Sequence, residues 1–422
     1  MQFQKKPTLY YKLFFSLVFI LFIGVSGGLS SVAAGDAGPP VPLISDKKAV
    51  DWWFAFKFNS KSFEGCGDRS CLFGGKVKVY KYGYSQQYVY ASSDSPTLQK
   101  GDGCLGDTLT DPVGATFNQV YNGDYYYVLW NDQFYGNPIE SKESPWGHSK
   151  GMLAWDDDGN GFVMQVSTPS WPGSGSSKHP RKNDGNTLGC IKDDDVEVSQ
   201  HFFALKLTKD DLIAVLKALQ NARVVTDTSK SEICNNGGPE DVQEEVEKLN
   251  VKPKSTSVTK VTLSSGIQLI SKPHDVEVPP WQMVSAQMGG VPLRTATWWA
   301  HPTIPSTTAT TTIKCWDDGL GTPGAVEIAT SGQWDGTVFG LKGGLGTDFN
   351  HAKIGVSTDS TKPYTIFGDM NQQGALYPGE DYSTQKCSSS QNGRGGTFYV
   401  IQSKELTNSV TSLIKGETAP TK

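Results

Sequence analysis

The chain has 422 residues, of which 37% are hydrophobic and 11% aromatic, so it is long enough to bury two cores and is not a disordered tail protein. A formal net charge of -5 and a sequence pI near 5.7 exclude the basic surface of a constitutive nucleic-acid coat protein. An enzyme that acts on nucleic acid at low pH is not excluded, because carboxylates lose charge and histidines gain it there.

The N-terminus has the pattern of a secretory signal peptide. Lys5, Lys6 and Lys12 precede an apolar run over 13–25, and small residues end at Ala34. The run is too short for a membrane span, so we predict a signal peptide over 1–34. The mature protein is then secreted, either outside the cell or into the periplasm, or it is lysosomal in a eukaryote. All seven Cys follow Ala34, and the odd count leaves at least one free or paired between chains.

Apolar and aromatic runs predict the strands of the first half at 49–57, 77–84, 87–90, 125–130 and 162–166. The turn Gly159-Asn160-Gly161 joins the last of these strands to the segment 147–156 in a hairpin. Residues 167–187 predict a loop that lines a cleft instead of building core. The first predicted helix covers 210–220, with Thr208 and Asp211 as reciprocal caps.

A polar, charged segment over 226–257, which includes an acidic helix over 241–249, predicts a boundary between two lobes. We therefore expect an N-terminal lobe over 35–225 and a C-terminal lobe over 258–422. Two alternating runs in the second lobe predict a hairpin, and the last helix is predicted over 404–415. The hairpin strands are expected at 258–263 and 267–270.

Two H-x-K pairs carry the predicted chemistry. His148 and Lys150 are two residues apart on a predicted strand, so both side chains point to one face. A His can take a phosphoryl group or a proton, and a Lys can hold the charge that develops on phosphate. The same spacing recurs at His351 and Lys353. A single pair is typical of a half-exposed strand, whereas recurrence in both halves favours a site for attack on a phosphodiester.

Other candidate residues predict no further chemistry. We expect His179 to contact solvent or substrate backbone, and His274 and His301 to be structural, because none has a second reactive group in comparable spacing. The His, Cys and Asp residues lack zinc spacing, and the acidic run over 156–159 lacks the rest of a calcium loop. The sequence therefore predicts neither a metal nor a cofactor.

The motifs together follow a known order. H-x-K-G at 148–151 begins a hydrophobic run that ends in Asp156; H-x-K at 351–353, G-D-M-N at 368–371 and R-G-G at 394–396 come later, as in the deoxyribonuclease II family. Weaker matches are Val50-Asp51-Trp52, Asn131-Asp132-Gln133, the loop at 167–172 and Thr187-Leu188-Gly189-Cys190. The chain resembles this family over essentially its whole mature length.

The resemblance implies an α/β fold of the phospholipase D type, in which two pseudo-symmetric α/β/α sandwich lobes share one active site. It also implies hydrolysis of DNA without a metal ion, in an acidic compartment, to 3'-phosphate and 5'-hydroxyl ends. His148 is the implied nucleophile, which carries a phosphohistidine, and His351 is the implied acid. Lys150 and Lys353 are implied to hold non-bridging oxygens. The implied substrate-binding residues are Asn371, Asp369 and Ser167.

The chain departs from the family pattern at four positions. Asn350 replaces the usual acidic residue before the second His, and Ala352 and Ile354 replace Ser and Trp around the second Lys. Ser170 stands where the family tends to carry Asn. Because both His and both Lys are retained, these departures bear on substrate contacts and pH dependence more than on activity.

Two other functions fit the same residues. A phospholipase or phosphatidyltransferase could use H-x-K chemistry on lipid, although no amphipathic membrane-docking helix is predicted. A catalytically inactive DNA-binding homologue could keep the fold, but it has no chemical need for both pairs. We expect DNA as the partner and no membrane association after signal cleavage, and we leave a homodimer open.

The cysteines of the second half suggest one disulfide. Cys315 and Cys387 are the two Cys beyond the boundary segment, and a bond between them would close the loop that follows G-D-M-N. Pairing of Cys387 with Cys234 is the alternative.

Overall fold

A computed structural model describes the chain over residues 38–63, 65, 73, 86–106, 108–134, 139, 143–181, 186, 188, 197–251, 255–379 and 386–422. The predicted signal peptide over 1–34 and the predicted strand over 77–84 lie outside these residues. The elements below all belong to one unit, Pro39–Lys422.

Within the described ranges the chain forms 19 strands and five α-helices. The strands are β1 Leu43–Ser45, β2 Lys48–Ala49, β3 Trp52–Lys57, β4 Tyr88–Ser92, β5 Ser95–Lys100, β6 Tyr126–Asn131, β7 Lys150–Trp155, β8 Gly161–Val166, β9 Gln200–Leu207, β10 Cys234–Asn235, β11 Thr259–Thr262, β12 Gln268–Lys272, β13 Leu293–Ala296, β14 Val326–Ile328, β15 Ser331–Trp334, β16 Thr337–Gly340, β17 Ile354–Ser357, β18 Tyr364–Gly368 and β19 Gly396–Gln402. The helices are α1 Pro112–Tyr121, α2 Lys209–Ala222, α3 Glu240–Glu247, α4 Pro280–Gln287 and α5 Lys404–Leu413. None of these helices is both long and apolar enough to cross a membrane.

Most strands belong to two large sheets. In the described part of the chain, the N-terminal sheet has eight strands in the order β10-β6-β7-β8-β9-β3-β4-β5. The C-terminal sheet, counted in the same way, has seven in the order β11-β12-β19-β18-β17-β13-β14. Sheets and helices therefore combine in an α/β fold, as the sequence predicts.

The two large sheets repeat one topology. The run β6-β7-β8-β9-β3 corresponds to the run β13-β17-β18-β19-β12, and every neighbouring pair in both runs is antiparallel. The helices occupy equivalent places, because α1 and α4 come before β6 and β13, and α2 and α5 come after β9 and β19. The strands that follow the two H-x-K pairs, β7 and β17, are therefore equivalent members of the repeat.

Side chains of alternating direction bury both faces of the central strands. Phe203 belongs to a core cluster that the two sheets share, whereas its neighbour Phe202 belongs to the cluster under α1. In the shared cluster the Phe367 ring of β18 stacks on Phe54 and Phe203, with centroid distances of 4.5 and 4.7 Å. Aromatic stacking thus packs strands β3 and β9 of one sheet against strand β18 of the other.

Several predicted elements are confirmed. The strands at 49–57, 125–130 and 162–166 correspond to β3, β6 and β8, and the hairpin at 258–270 to β11 and β12. Helix α2 begins with the expected capping box of Thr208 and Asp211. The boundary over 226–257 stays a prediction.

Two expectations differ from the structure. Helices α1 and α4 were not predicted, because they are buried nearly all round and so lack a polar face to reveal helical periodicity. The loop after β8 was expected to stay out of the core, but Trp171 is buried there against Phe117, 5.2 Å away. Its indole N–H donates to Asn186 O at 2.6 Å, which removes the cost of burying it.

The predicted disulfide is confirmed. Cys315 and Cys387 are bonded across a sequence separation of 72, and buried Cys234 is free. The alternative bond between Cys387 and Cys234 is therefore wrong. The closed loop contains both the second H-x-K pair and G-D-M-N.

Removal of this disulfide tests its contribution to stability. Replacing both Cys315 and Cys387 by Ser should lower the free energy of unfolding by about 4 kcal/mol, because the unfolded chain regains the entropy of the opened loop. Urea unfolding measures the change, with Cys234→Ala as a variant that keeps the bond. Recovery of Cys315 and Cys387 as free thiols in non-reducing peptide mapping of the native protein would contradict the assignment.

Candidate active site

The two H-x-K pairs lie at the beginnings of equivalent strands. His148 comes two residues before β7 and Lys150 is its first residue, whereas His351 and Lys353 both precede β17. All four side chains are buried. The expectation that each whole pair lies on a strand is wrong, because the backbone N–H groups of both His bond to the opposite half of the chain instead of to a neighbouring strand.

These backbone bonds cross between the halves in an equivalent way. His148 N donates to Gly395 O at 2.8 Å, just before β19, and His351 N donates to Ser199 O at 2.7 Å, just before β9. A Cβ at Gly147 or at Gly395 would lie within 2.4 Å of Ala222 O at the end of α2. Only glycine therefore lets the segment before His148 and the R-G-G segment approach the helix end together.

A buried cluster of charges supports the first pair. Asp132, directly after β6, accepts from Lys150 Nζ and from the Arg394 guanidinium, each at 2.7 Å. Arg394 also donates to Trp146 O and Gly147 O, both at 2.9 Å. Burial alone would raise the pKa of Asp132, but Lys150 and Arg394 hold it well below its usual value. The cluster fixes the Lys150 ammonium and the backbone that leads to His148.

The His148 imidazole is held through Asp369. His148 Nδ1 lies 2.7 Å from Asp369 O. The Asp369 carboxylate accepts from Thr397 N at 2.8 Å, Thr397 Oγ1 at 2.6 Å and Gln165 Nε2 at 3.0 Å. Burial raises the pKa of Asp369 to about 6, although the hydrogen bonds from Thr397 oppose the rise. Asp369 thus fixes one nitrogen of His148 and leaves the other to face the site.

The second pair has different partners. Gln200 Nε2 lies 3.5 Å from His351 Nδ1, and the Trp298 ring meets the imidazole edge-on at a centroid distance of 4.2 Å. Lys353 N donates to His201 Nδ1 at 3.1 Å, and Lys353 Nζ donates to His351 O at 2.6 Å. Side chains at the start of β9 therefore position the second pair, although β9 belongs to the other sheet.

The pKa of each His is affected by the Lys of the other pair, which indicates that the four groups share one site. Burial lowers the pKa of His148 well below its usual value, and Lys150 and Lys353 lower it further, while Asp132 opposes them. Burial is also the largest cause that lowers the pKa of His351. The charges of Lys353, Lys150 and His148 lower it further. Each His is thus close enough to the Lys of the other pair for that Lys to lower its pKa, so the two pairs lie near each other. A site with two Lys ammonium groups favours an anion.

Comparison with known proteins assigns the chain to a family. Residues 43–418 match the family model described as Deoxyribonuclease II. The chain belongs to the deoxyribonuclease II family. It is therefore an enzyme of the class that hydrolyses DNA.

Three relatives show the extent of the similarity. Cell-death-related nuclease 7 of Caenorhabditis elegans is 23% identical over 367 residues, which are 85% of this chain and 82% of that protein. Deoxyribonuclease-2-alpha of Rattus norvegicus is 30% identical over 165 residues, 37% of this chain and 40% of that protein. The protein of the same name in Bos taurus is 28% identical over 165 residues, 37% and 38% of the two chains. The match to both mammalian proteins thus spans about two fifths of their length.

The predicted substrate-binding residues have the following surroundings. Asn371 Nδ2 donates to Gln373 Oε1 at 2.8 Å, and the buried Asn371 Oδ1 has no hydrogen-bond partner among the described residues. Ser167 Oγ contacts Gln200 Oε1 at 2.5 Å and accepts from His201 N at 2.8 Å. Contact of Asn371, Ser167 and Asp369 with substrate stays a prediction, as do the catalytic roles of both pairs.

Sequence reasoning missed several members of the site. Asp132 and Arg394 appeared only as letters of the family motifs, and Gln200, His201 and Trp298 were not singled out. Pairing of the predicted strands around 125–130 and 147–156 could have indicated Asp132. In that pairing Asn131 lies opposite Lys150, and Asp132 is the next residue along the chain. His201 gave no signal, since its partner is a backbone N–H from the other half.

The remaining His residues have other surroundings. His179 and His301 are exposed. His274 contacts Arg223 at 3.0 Å and Asp275 at 2.9 Å. Over the residues that the structure describes, no group of three or more His, Cys, Asp or Glu could hold a metal ion together.

Replacement of Asp132 tests the charge cluster. Asp132→Asn keeps the shape but leaves two buried cations without a counter-charge, so the free energy of unfolding should fall by about 3–5 kcal/mol. The pKa of Asp132 is lowered by folding, so its contribution is present above the usual carboxyl pKa and is lost only at more acidic pH. Chemical unfolding at pH 5 and pH 7 should therefore give the same loss.

A surface ion pair supplies the control for this measurement. Asp241 pairs with Lys209 at 2.9 Å, and both side chains are at least 40% exposed. Asp241→Asn should cost much less than Asp132→Asn, because solvent screens an exposed ion pair. Equal losses from the two substitutions would contradict the role assigned to Asp132.

Proposed function

We propose that the chain is an endonuclease that cleaves DNA phosphodiesters without a metal ion, through a phosphohistidine, to 3'-phosphate and 5'-hydroxyl ends. The observation that carries the proposal is that the two buried H-x-K pairs are close enough for the Lys of each to affect the His of the other, with different partners on the two imidazoles. The proposed fold is of the phospholipase D type. The repeated topology supports it, because each repeat delivers one pair at the same strand position.

The partner of His148 supports its role as the nucleophile. A backbone carbonyl can only accept a hydrogen bond, so Asp369 O holds the proton of the neutral imidazole on Nδ1. Nε2 then carries the lone pair. The lowered pKa of His148 keeps this neutral, nucleophilic form populated in acid.

The partner of His351 supports its role as the acid. The Gln200 amide presents Nε2, a donor, to Nδ1 of the neutral imidazole, so the proton of that form is on Nε2. A second proton gives the imidazolium that can protonate a leaving oxygen. The two imidazoles thus differ in tautomer before substrate binds.

The reaction proceeds in two steps. His148 Nε2 attacks phosphorus, the bond from phosphorus to the 5'-oxygen breaks, and the His351 imidazolium protonates that oxygen. A water molecule then attacks the phosphohistidine, His351 takes a proton from it, and cleavage of the P–N bond leaves a 3'-phosphate. Lys150 and Lys353 stabilise the charge on the non-bridging oxygens in both steps.

The surroundings of His351 account for an acidic optimum. Burial and the neighbouring cations lower the pKa of His351, so its protonated form is lost as pH rises through that lowered value. A bound phosphodiester supplies a negative charge that raises the pKa of His351 again. The two His therefore titrate together, and a bell-shaped profile on the acid side of neutrality follows.

Substitution of the four residues tests the mechanism. His148→Ala and His351→Ala should each abolish cleavage of plasmid DNA in a folded protein, and Lys150→Ala and Lys353→Ala should lose most of it, whereas His301→Ala should lose little. A denaturing quench at alkaline pH, where the P–N bond persists, should trap labelled DNA phosphate on His148. Label on His351 would reverse the roles, and near-normal turnover by folded His351→Ala would refute a shared site.

A pH series with chelator tests the chemistry and the substrate class. Activity on plasmid DNA should persist in excess chelator and decline as pH rises past neutrality, because the acid is deprotonated and the surface carboxylates repel DNA. Phosphatidylcholine, assayed in parallel, should not be hydrolysed. Magnesium dependence with an alkaline optimum would overturn the proposal, preference for the lipid would indicate a phospholipase, and DNA binding without cleavage would indicate an inactive homologue.

A further inference from the structure

A buried chain of three polar side chains leads to the acid His. Ser167 Oγ lies 2.5 Å from Gln200 Oε1, and Gln200 Nε2 lies 3.5 Å from His351 Nδ1. Ser167 follows β8 and Gln200 begins β9, whereas His351 belongs to the second half. Ser167 and Gln200 are almost completely inaccessible to solvent. The chain therefore consists of protein groups that cannot exchange their hydrogen bonds freely with water.

We propose that Gln200 is a positioning residue whose carboxamide reverses by rotation to hold His351 in both protonation states, with Ser167 as the hydroxyl that permits the reversal. This inference rests on the proposed role of His351 as the acid.

When His351 is neutral, a donor faces an acceptor in both contacts of this chain of side chains. Gln200 Nε2 donates toward the lone pair of His351 Nδ1, and Ser167 Oγ donates to Gln200 Oε1. Ser167 Oγ also accepts from His201 N at 2.8 Å.

In the protonated state Nδ1 carries a hydrogen and needs an acceptor. Rotation of the carboxamide by about 180° presents Oε1 to Nδ1 and Nε2 to Ser167, with heavy atoms in the same places. Ser167 then accepts from Gln200 Nε2 and His201 N, and its own hydrogen turns to His201 O, 3.2 Å away. A hydroxyl has one donor and two acceptor sites, so Ser167 can make all three of these hydrogen bonds.

The charges around His351 explain why a neutral partner matters. Lys353 from its own segment, Lys150 and His148 from the start of β7, and Lys57 from β3 all disfavour the imidazolium. Trp298 covers the ring edge-on and adds no charge. The reversible amide supports the proton on His351 without fixing it there, so that the same residue can donate a proton in one step and accept one in the next.

A charge change at Gln200 tests this. Gln200→Glu retains the acceptor and adds a negative charge, so the alkaline limb of the profile of kcat against pH should move up by about one unit or more. Gln200→Met removes both the donor and the acceptor, so the limb should move toward acid and kcat should fall about tenfold or more. Gln99→Glu makes the same charge change at an exposed position of β5 and should leave the profile unchanged. A folded Gln200→Glu enzyme with the wild-type profile would overturn the inference.

A second measurement uses the wild-type protein, so it depends neither on the folding of a variant nor on activity. Nitrogen-15 shifts of the labelled imidazoles should show the neutral form of His351 with its proton on Nε2 and that of His148 with its proton on Nδ1. A neutral His351 with its proton on Nδ1 would refute the assigned role of Gln200. Absence of DNA cleavage by a wild-type protein with the expected tautomers would instead refute the proposed function alone.

Discussion

The site depends on one buried carboxylate. Asp132 is the counter-charge of both Lys150 and Arg394, and the position of His148 follows from Arg394 through the carbonyls of Trp146 and Gly147. Two cations without it would be too costly to bury, so Lys150 could not stay buried close to His148. The R-G-G motif is explained in the same way: its Arg completes the charge cluster, and its first Gly lets the backbone reach His148 N beside the end of α2.

The two halves of the chain are alike in topology and unlike at the reacting groups. Equivalent positions after β8 and β18 hold Ser167 and Asp369, and these two residues determine what each imidazole contacts. Asp369 offers His148 a carbonyl that can only accept, whereas Ser167 supports an amide that can either donate to His351 or accept from it. A repeated framework thus supplies two histidines, and small differences in their neighbours give them different hydrogen-bond partners.

Local signals made part of this predictable. Some features depend only on a few adjacent residues, and the structure contains each of them: the H-x-K spacing, the capping box of α2 and the strand patterns of β3, β6 and β8. Contacts between distant segments were not readable: Lys353 N with His201, Gln200 with His351, and Arg394 with Asp132 each join residues from the two halves of the sequence. Helices α1 and α4 were missed for a different reason, because complete burial removes the polar face by which a helix is recognised. The contact between His148 Nδ1 and the backbone oxygen of Asp369 was likewise not readable, because it also joins the two halves.

The crossed arrangement of the two pairs has a consequence for how a strand of DNA can lie in the site. The proposed nucleophile comes from the first half and the proposed acid from the second, and in-line displacement places the attacking nitrogen and the departing oxygen on opposite sides of phosphorus. Under the proposed roles, the nucleotide that keeps the phosphate lies toward the N-terminal sheet, and the one that leaves with its 5'-oxygen lies toward the C-terminal sheet. Under these roles the site would have a polarity: although the two sheets repeat one topology, it would accept the backbone in only one direction.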